Sequence, residues 1–189
     1  MKAPKNRRVF VIGYGAATPL GRTFPLTWKR AVEGEAGFRP ITRCQVKTLS
    51  HVVGEIPDWD PLALGLADEK EVYNWNAAFV ILTTAVCREA LEHAGLVMDR
   101  YSAPKTACLI GSAINGSDAF RCAVENLRDK GPLKVSPYLL PNICANLPAG
   151  KAAMALGFTG PIFSPQGACA SANYALALGA RMIRDGDRV

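Results

Sequence analysis

A chain of 189 residues, 49% hydrophobic and 20% charged, is long enough to bury a core and too apolar to be disordered. Its formal charge of +6 is scattered rather than striped and comes with no recognition motif, which argues against a nucleic-acid binder. Six cysteines without a Cys-x-x-Cys pair, and only two histidines, argue against a zinc site and leave most of the thiols as small buried hydrophobes in a reducing compartment.

The chain opens on Lys2, Lys5, Arg7 and Arg8, which read as a solvated basic arm or as a surface that attracts an acidic partner. Val9 to Ile12 is too short for the apolar stretch of a signal peptide, and nothing later reaches membrane-spanning length, so a cytoplasmic protein is expected. Arg8 to Ile12 predicts a buried strand, short, β-branched and ended by Gly13. Leu26 to Glu33 predicts a short helix stopped at Gly34. Phe38 to Leu66, with three prolines and mixed polarity, predicts an irregular excursion. From Asn76 to His93, the spacing of Phe79, Leu82, Val86 and Ala90 predicts a helix capped by Gly95. A buried strand is expected over Thr106 to Gly111, and an amphipathic helix over Ala119 to Lys130 before Gly131-Pro132. Cys144 to Leu156 predicts a small-residue helix closing on Gly157, Pro161 to Ser164 a strand, and Ser171 to Arg184 a long helix. Asp187 to Val189 has the look of a further strand beginning. Strands alternating with helices predict a layered α/β fold with a mostly parallel sheet.

Gly167-Ala168-Cys169-Ala170-Ser171-Ala172 carries the chemistry. It follows a short strand and opens an apolar helix, and its small residues let substrate and backbone come close. At a helix N-terminus a thiol faces the positive end of the peptide dipoles, which favours thiolate. Free N–H groups at the same turn can stabilise a tetrahedral oxyanion. This is the strand, turn, nucleophile and helix order that acyl transfer uses, with Cys in place of Ser; the local pattern alone favours an inert core thiol, since structural cysteines outnumber reactive ones. The helix behind it carries Tyr174, Leu176, Leu178, Met182 and Ile183 almost all round, which predicts burial.

Gly13-Tyr14-Gly15-Ala16-Ala17-Thr18 has the outline of a dinucleotide loop, with Glu33 or Glu35 at ribose distance. Thr18 replaces the third glycine and Pro19 follows, so a tight loop after a core strand is the better reading. His51 and His93 have no Cys or Asp partner at a telling spacing and read as structural or surface residues.

Four segments together resemble the β-ketoacyl-[acyl carrier protein] synthases, the elongating type II enzymes and their polyketide relatives. They are Arg7 to Gly21, Gly111 to Gly116, Val135 to Asn142 and Gly160 to Ala172. The resemblance implies a thiolase-like fold, with residues 1–189 forming the N-terminal half of a layered α/β/α/β/α architecture whose C-terminal half is absent. It further implies that Cys169 accepts an acyl chain from the phosphopantetheine arm of an acyl carrier protein, with no other cofactor, for decarboxylative condensation with a malonyl thioester. By the same resemblance the Cys169 N–H contributes to the oxyanion hole, Ile114 lines the acyl pocket, and Tyr138 is contributed to that pocket across a dimer. Lys134 matches one basic carrier-docking position. Ala172 stands where the family has glycine, and Asn74 to Ala77 stand where many members have a basic pair followed by Met-Asp. The family's two histidines, lysine and gating phenylalanine belong to its C-terminal half, and His51 and His93 do not match them. Two further readings differ in chemistry: a chain-length-factor-like partner indifferent to loss of Cys169, and a cysteine acyltransferase that releases no carbon dioxide. An isolated half is expected to aggregate or to need a partner chain.

Overall fold

The computed structural model describes residues 8–42, 51–74, 78–100 and 102–186. Lys2, Lys5 and Arg7 of the basic arm, Cys44, the expected helix start at Asn76 and the chain's last three residues lie outside them. Helices are α1 (Phe24–Val32), α2 (Glu69–Asn74), α3 (Ala78–Ala94), α4 (Ser117–Lys130), α5 (Leu139–Ile143), α6 (Leu147–Leu156) and α7 (Ser171–Asp185). Strands are β1 (Arg39–Pro40), β2 (Val52–Val53), β3 (Cys108–Leu109) and β4 (Ile162–Phe163).

The core is the crossing of α3 and α6. Val80 and Ile81 are buried on α3, and Ala149, Ala152 and Ala153 on α6. Alanines at this i, i+3, i+4 spacing clear one face of α6, so the helix backbones approach closely. Cys108 on β3 joins the same cluster, with Cys87, Ile110 and Phe158 packed around it. β3 and β4 run parallel, Cys108 opposite Ile162 and Leu109 opposite Phe163, and the ladder extends through Ile110 N–H to the Phe163 carbonyl at 3.1 Å. Within the excursion before α2, β1 and β2 pair antiparallel as a short hairpin, Arg39 opposite Val53.

Two expectations are corrected. Arg8 to Ile12 forms no strand: it has no ladder partner among the described residues, and Val11 is 81% exposed. Gly13 and Gly15 lie against the Ala90 and Val86 carbonyls of α3, where a Cβ would overlap the backbone. The segment is thus held on α3, and a cleft of about 300 Å³, lined in part by Ile12, Leu91, Ala94, Cys108 and Phe158, opens beside it. A β-branched run becomes a strand only where a neighbour completes its hydrogen bonds, which propensity alone does not supply. The second correction concerns α7, which is amphipathic rather than buried. Ser171, Ala175 and Met182 face inward, while Tyr174 is 53% and Leu176 68% exposed. Only this narrow stripe of the helix is buried, and apolar composition alone does not reveal that.

The Gly13–Thr18 loop is a packing device. Glu89 of α3 accepts the Ala16 N–H at 2.9 Å and the Phe24 N–H at 2.8 Å, fixing the loop and the start of α1 with one carboxylate. Tyr14 packs its ring on His93 and Phe24, with centroids 3.9 and 4.1 Å apart, so His93 is a structural ring. His51 is exposed ahead of β2, where its carbonyl accepts the Ile41 N–H. Among the described residues no helix is long and apolar enough to cross a membrane.

Candidate active site

Cys169 is exposed in the middle of a single 3₁₀ turn, Ala168–Ala170, that leads directly into α7. The turn is entered through Ala168 at φ +49°, a left-handed conformation that costs a non-glycine residue about 1 kcal/mol. Chain direction therefore reverses sharply between β4 and α7, and the reversal carries the thiol at its tip.

Ser171 holds the turn together. Its hydroxyl accepts the Gly167 N–H at 3.0 Å and lies 2.7 Å from the Ala168 carbonyl and 3.2 Å from the Ser112 carbonyl, either of which takes its proton. The Ser171 N–H also donates to the Ala168 carbonyl, and the Ala170 N–H to the Gly167 carbonyl at 2.9 Å. Gly167 lies against the Tyr174 ring, where a Cβ would overlap it.

The loop after β3 is fastened at both ends. Gly111 meets the backbone of Ser171 and Ala172 with no room for a Cβ. Gly116, at φ +59°, meets the Asn142 carbonyl of α5 in the same way. Asn142 is buried, and both its N–H and its Nδ2–H donate to the Tyr138 carbonyl, at 3.0 and 2.9 Å. A continuous chain of contacts thus runs from the Cys169 turn through Ser171, Gly111 and the loop bearing Ile114 to Gly116, Asn142 and Tyr138. Ile114 is 80% exposed on that loop, Tyr138 is half-buried ahead of α5, and Lys134 is exposed on the turn Pro132–Lys134 beside α4. Ser171, Gly111 and Asn142 fall within the matching segments, yet their roles are not evident from the sequence. A serine two residues past the cysteine and a glycine ending the strand were the available signals.

The other thiols contrast with Cys169. Burial pushes the Cys108 thiol up to about 12, with the neighbouring Cys87 adding to it, and burial raises Cys87 as well. A raised thiol pKa means the native chain keeps a proton that the unfolded chain releases. Stability is therefore expected to fall as pH rises from 9 toward 12, and to be unaffected by these groups below that window. Urea midpoints measured across that range check this, and Cys108→Ala should flatten the slope. At pH 8, alkylation is expected to reach Cys169 and Cys144, both exposed, well before Cys87 and Cys108.

Residues 6–188 match the family model of the β-ketoacyl synthase N-terminal domain. The chain belongs to this family. This β-ketoacyl synthase domain is 30% identical over 184 residues to 3-oxoacyl-[acyl-carrier-protein] synthase 2 of Staphylococcus aureus (strain COL), covering 97% of the chain and 44% of that protein. Against the protein of the same name from a Synechocystis species it is 32% identical over 183 residues, covering 96% of the chain and 43% of that protein. The chain thus spans less than half the length of these relatives. In fold it matches the solved structure titled the ishigamide ketosynthase/chain length factor, with a TM-score of 0.83 at 24% identity over 95% of the chain and 45% of that one. The short β3–β4 ladder and the helices around it accordingly belong to an N-terminal domain of the β-ketoacyl synthase family, with a thiolase-like fold.

Proposed function

We propose that this chain is the nucleophile-bearing half of a β-ketoacyl-[acyl carrier protein] synthase, in fatty acid or polyketide biosynthesis. The observation that carries the reading is the exposed Cys169 at the left-handed Ala168 turn, at the mouth of α7. In the first step the Cys169 sulfur attacks the thioester carbonyl of an acyl chain on a carrier's phosphopantetheine arm. The acyl–sulfur bond re-forms on Cys169, and the carrier thiol leaves with the proton. In the second, a malonyl thioester loses carbon dioxide, and its carbanion attacks the Cys169 thioester. The new carbon–carbon bond forms as the cysteine thiolate departs.

The Cys169 N–H is assigned to the oxyanion that forms at each attack, where a donor already fixed in place by the turn needs no reorganisation. Ile114 and Tyr138, on segments fastened to the nucleophile turn, are assigned to the acyl chain, and Lys134 to an acidic carrier. No described histidine serves the decarboxylation, since His93 is packed in rings and His51 sits by the hairpin. That step is assigned to a C-terminal half or partner chain in a homo- or heterodimer.

A chain-length-factor-like role leaves an exposed cysteine on a strained turn without a purpose. The test is intact mass after incubation with an acyl-carrier protein, then with a malonyl-carrier. Acyl mass appearing on the peptide that holds Cys169 supports the reading. Loading without subsequent carbon dioxide release, even with the C-terminal half supplied, leaves a cysteine acyltransferase instead. No loading overturns both.

A further inference from the structure

We infer that Ser171 is a positioning residue for Cys169, one that ties the nucleophile turn to the loop bearing Ile114; the inference rests on the proposed role of Cys169. Ser171 is 2% exposed, and its hydroxyl touches three backbone groups that bracket the cysteine from two segments distant in sequence. Gly167 and Ala168 lie on the near side of the thiol, and Ser112, 59 positions away in the chain, lies on the loop after β3.

Three physical consequences follow. The left-handed Ala168 is unfavourable by itself, and a hydroxyl that accepts from the residue before it and donates to its own carbonyl offsets that strain. Ser112 and Gly167 offer part-buried polar groups at this corner, where losing a partner costs more than forming the bond gains. The hydroxyl has one proton for two carbonyls. When it turns to Ser112 it grips the loop, and when it turns to Ala168 it grips the turn. Displacement of the loop by a chain lying along Ile114 is thereby felt at the turn that presents the thiol. An alanine in this place keeps the helix and the small volume and removes the hydroxyl's contacts to Gly167, Ala168 and Ser112 together.

The experiment uses the chain itself and an internal reference. Cys169 and Cys144 are both exposed, so their alkylation by iodoacetamide can be followed in the same molecule as the ratio of modified peptides, across pH 6 to 10. In Ser171→Ala the Cys169 to Cys144 rate ratio is expected to fall about tenfold, with a displaced pH profile for Cys169, and Ser171→Thr should restore it to within about threefold. An unchanged ratio and profile in a folded Ser171→Ala overturns the inference. Should the alanine variant fail to fold, the threonine variant decides: it keeps the oxygen, and a folded threonine chain with the tenfold loss overturns the inference, whereas a native ratio upholds it. The readout needs no acyl donor. If the ratio falls as expected while the unaltered chain takes no acyl group, the positioning role stands and the proposed condensing chemistry falls.

Discussion

Cys169→Ala is expected to remove the proposed covalent acyl loading, by about a thousandfold or more, because among the described residues no other exposed thiol sits on a strained turn at the start of a helix. Intact mass with an acyl-carrier donor shows the loss directly. Cys144→Ala is expected to load as the unaltered chain does, since Cys144 lies between α5 and α6, away from the turn, and its removal leaves the turn's hydrogen bonds in place. Loading that survives Cys169→Ala and disappears with Cys144→Ala would move the nucleophile and overturn the assignment. The effect is large because deleting the attacking atom removes a reaction path, whereas deleting a neighbour only slows one.

Gly111→Ala is expected to destabilise the chain by about 3 kcal/mol or more, a magnitude set by overpacking against groups that cannot yield. The atoms a new methyl would meet are the Ser171 carbonyl group and the Ala172 nitrogen, all backbone. Relief requires α7 to move off β3, and the nucleophile turn would move with it. Urea denaturation measures the cost, and thiol accessibility measures the displacement. Gly179→Ala is the matched control: it lies inside α7, at a φ that side chains adopt and with open space where its Cβ would go. Helix propensity then predicts a gain of about 0.5–1 kcal/mol. If both substitutions proved neutral, the close approach of β3 to α7 would be wrong.

Much of the fold is legible in the amino-acid sequence, and the reasons differ by element. The ends of α1, α3, α4, α6 and α7 were legible because each is followed by a glycine with positive φ: Gly34, Gly95, Gly131, Gly157 and Gly186. That signal is local and needs no tertiary context. The β3–β4 pair was legible as two short apolar runs, although its ladder is shorter than those runs. The short helices α2 and α5 were missed because six and five residues show no periodicity. Arg8 to Ile12 was misread because a strand is a property of a pair. For the site, the small neighbours of Cys169 mark it as a candidate, and the family resemblance is what favours a nucleophile over a core thiol. Ser171 could not be weighed from sequence: its importance lies in reaching the Ser112 carbonyl, a contact made only once β3 and α7 are packed together.

The interior of this chain is made largely of methyl groups. Among the described residues the buried apolar side chains are Val80, Ile81, Cys108, Pro148, Met182 and six alanines, while Phe10, Val11, Trp28 and Leu133 remain in water. Heat capacity of unfolding scales with the apolar area newly wetted, at about 12–15 cal/mol/K per residue for ordinary domains. A chain that hides so little apolar surface should fall below that range, and its calorimetric transition should be broad, with a flat dependence of stability on temperature. A binding partner that covers Phe10, Val11 and Tyr174 would restore the missing heat capacity, so calorimetry reads the extent of assembly without any label.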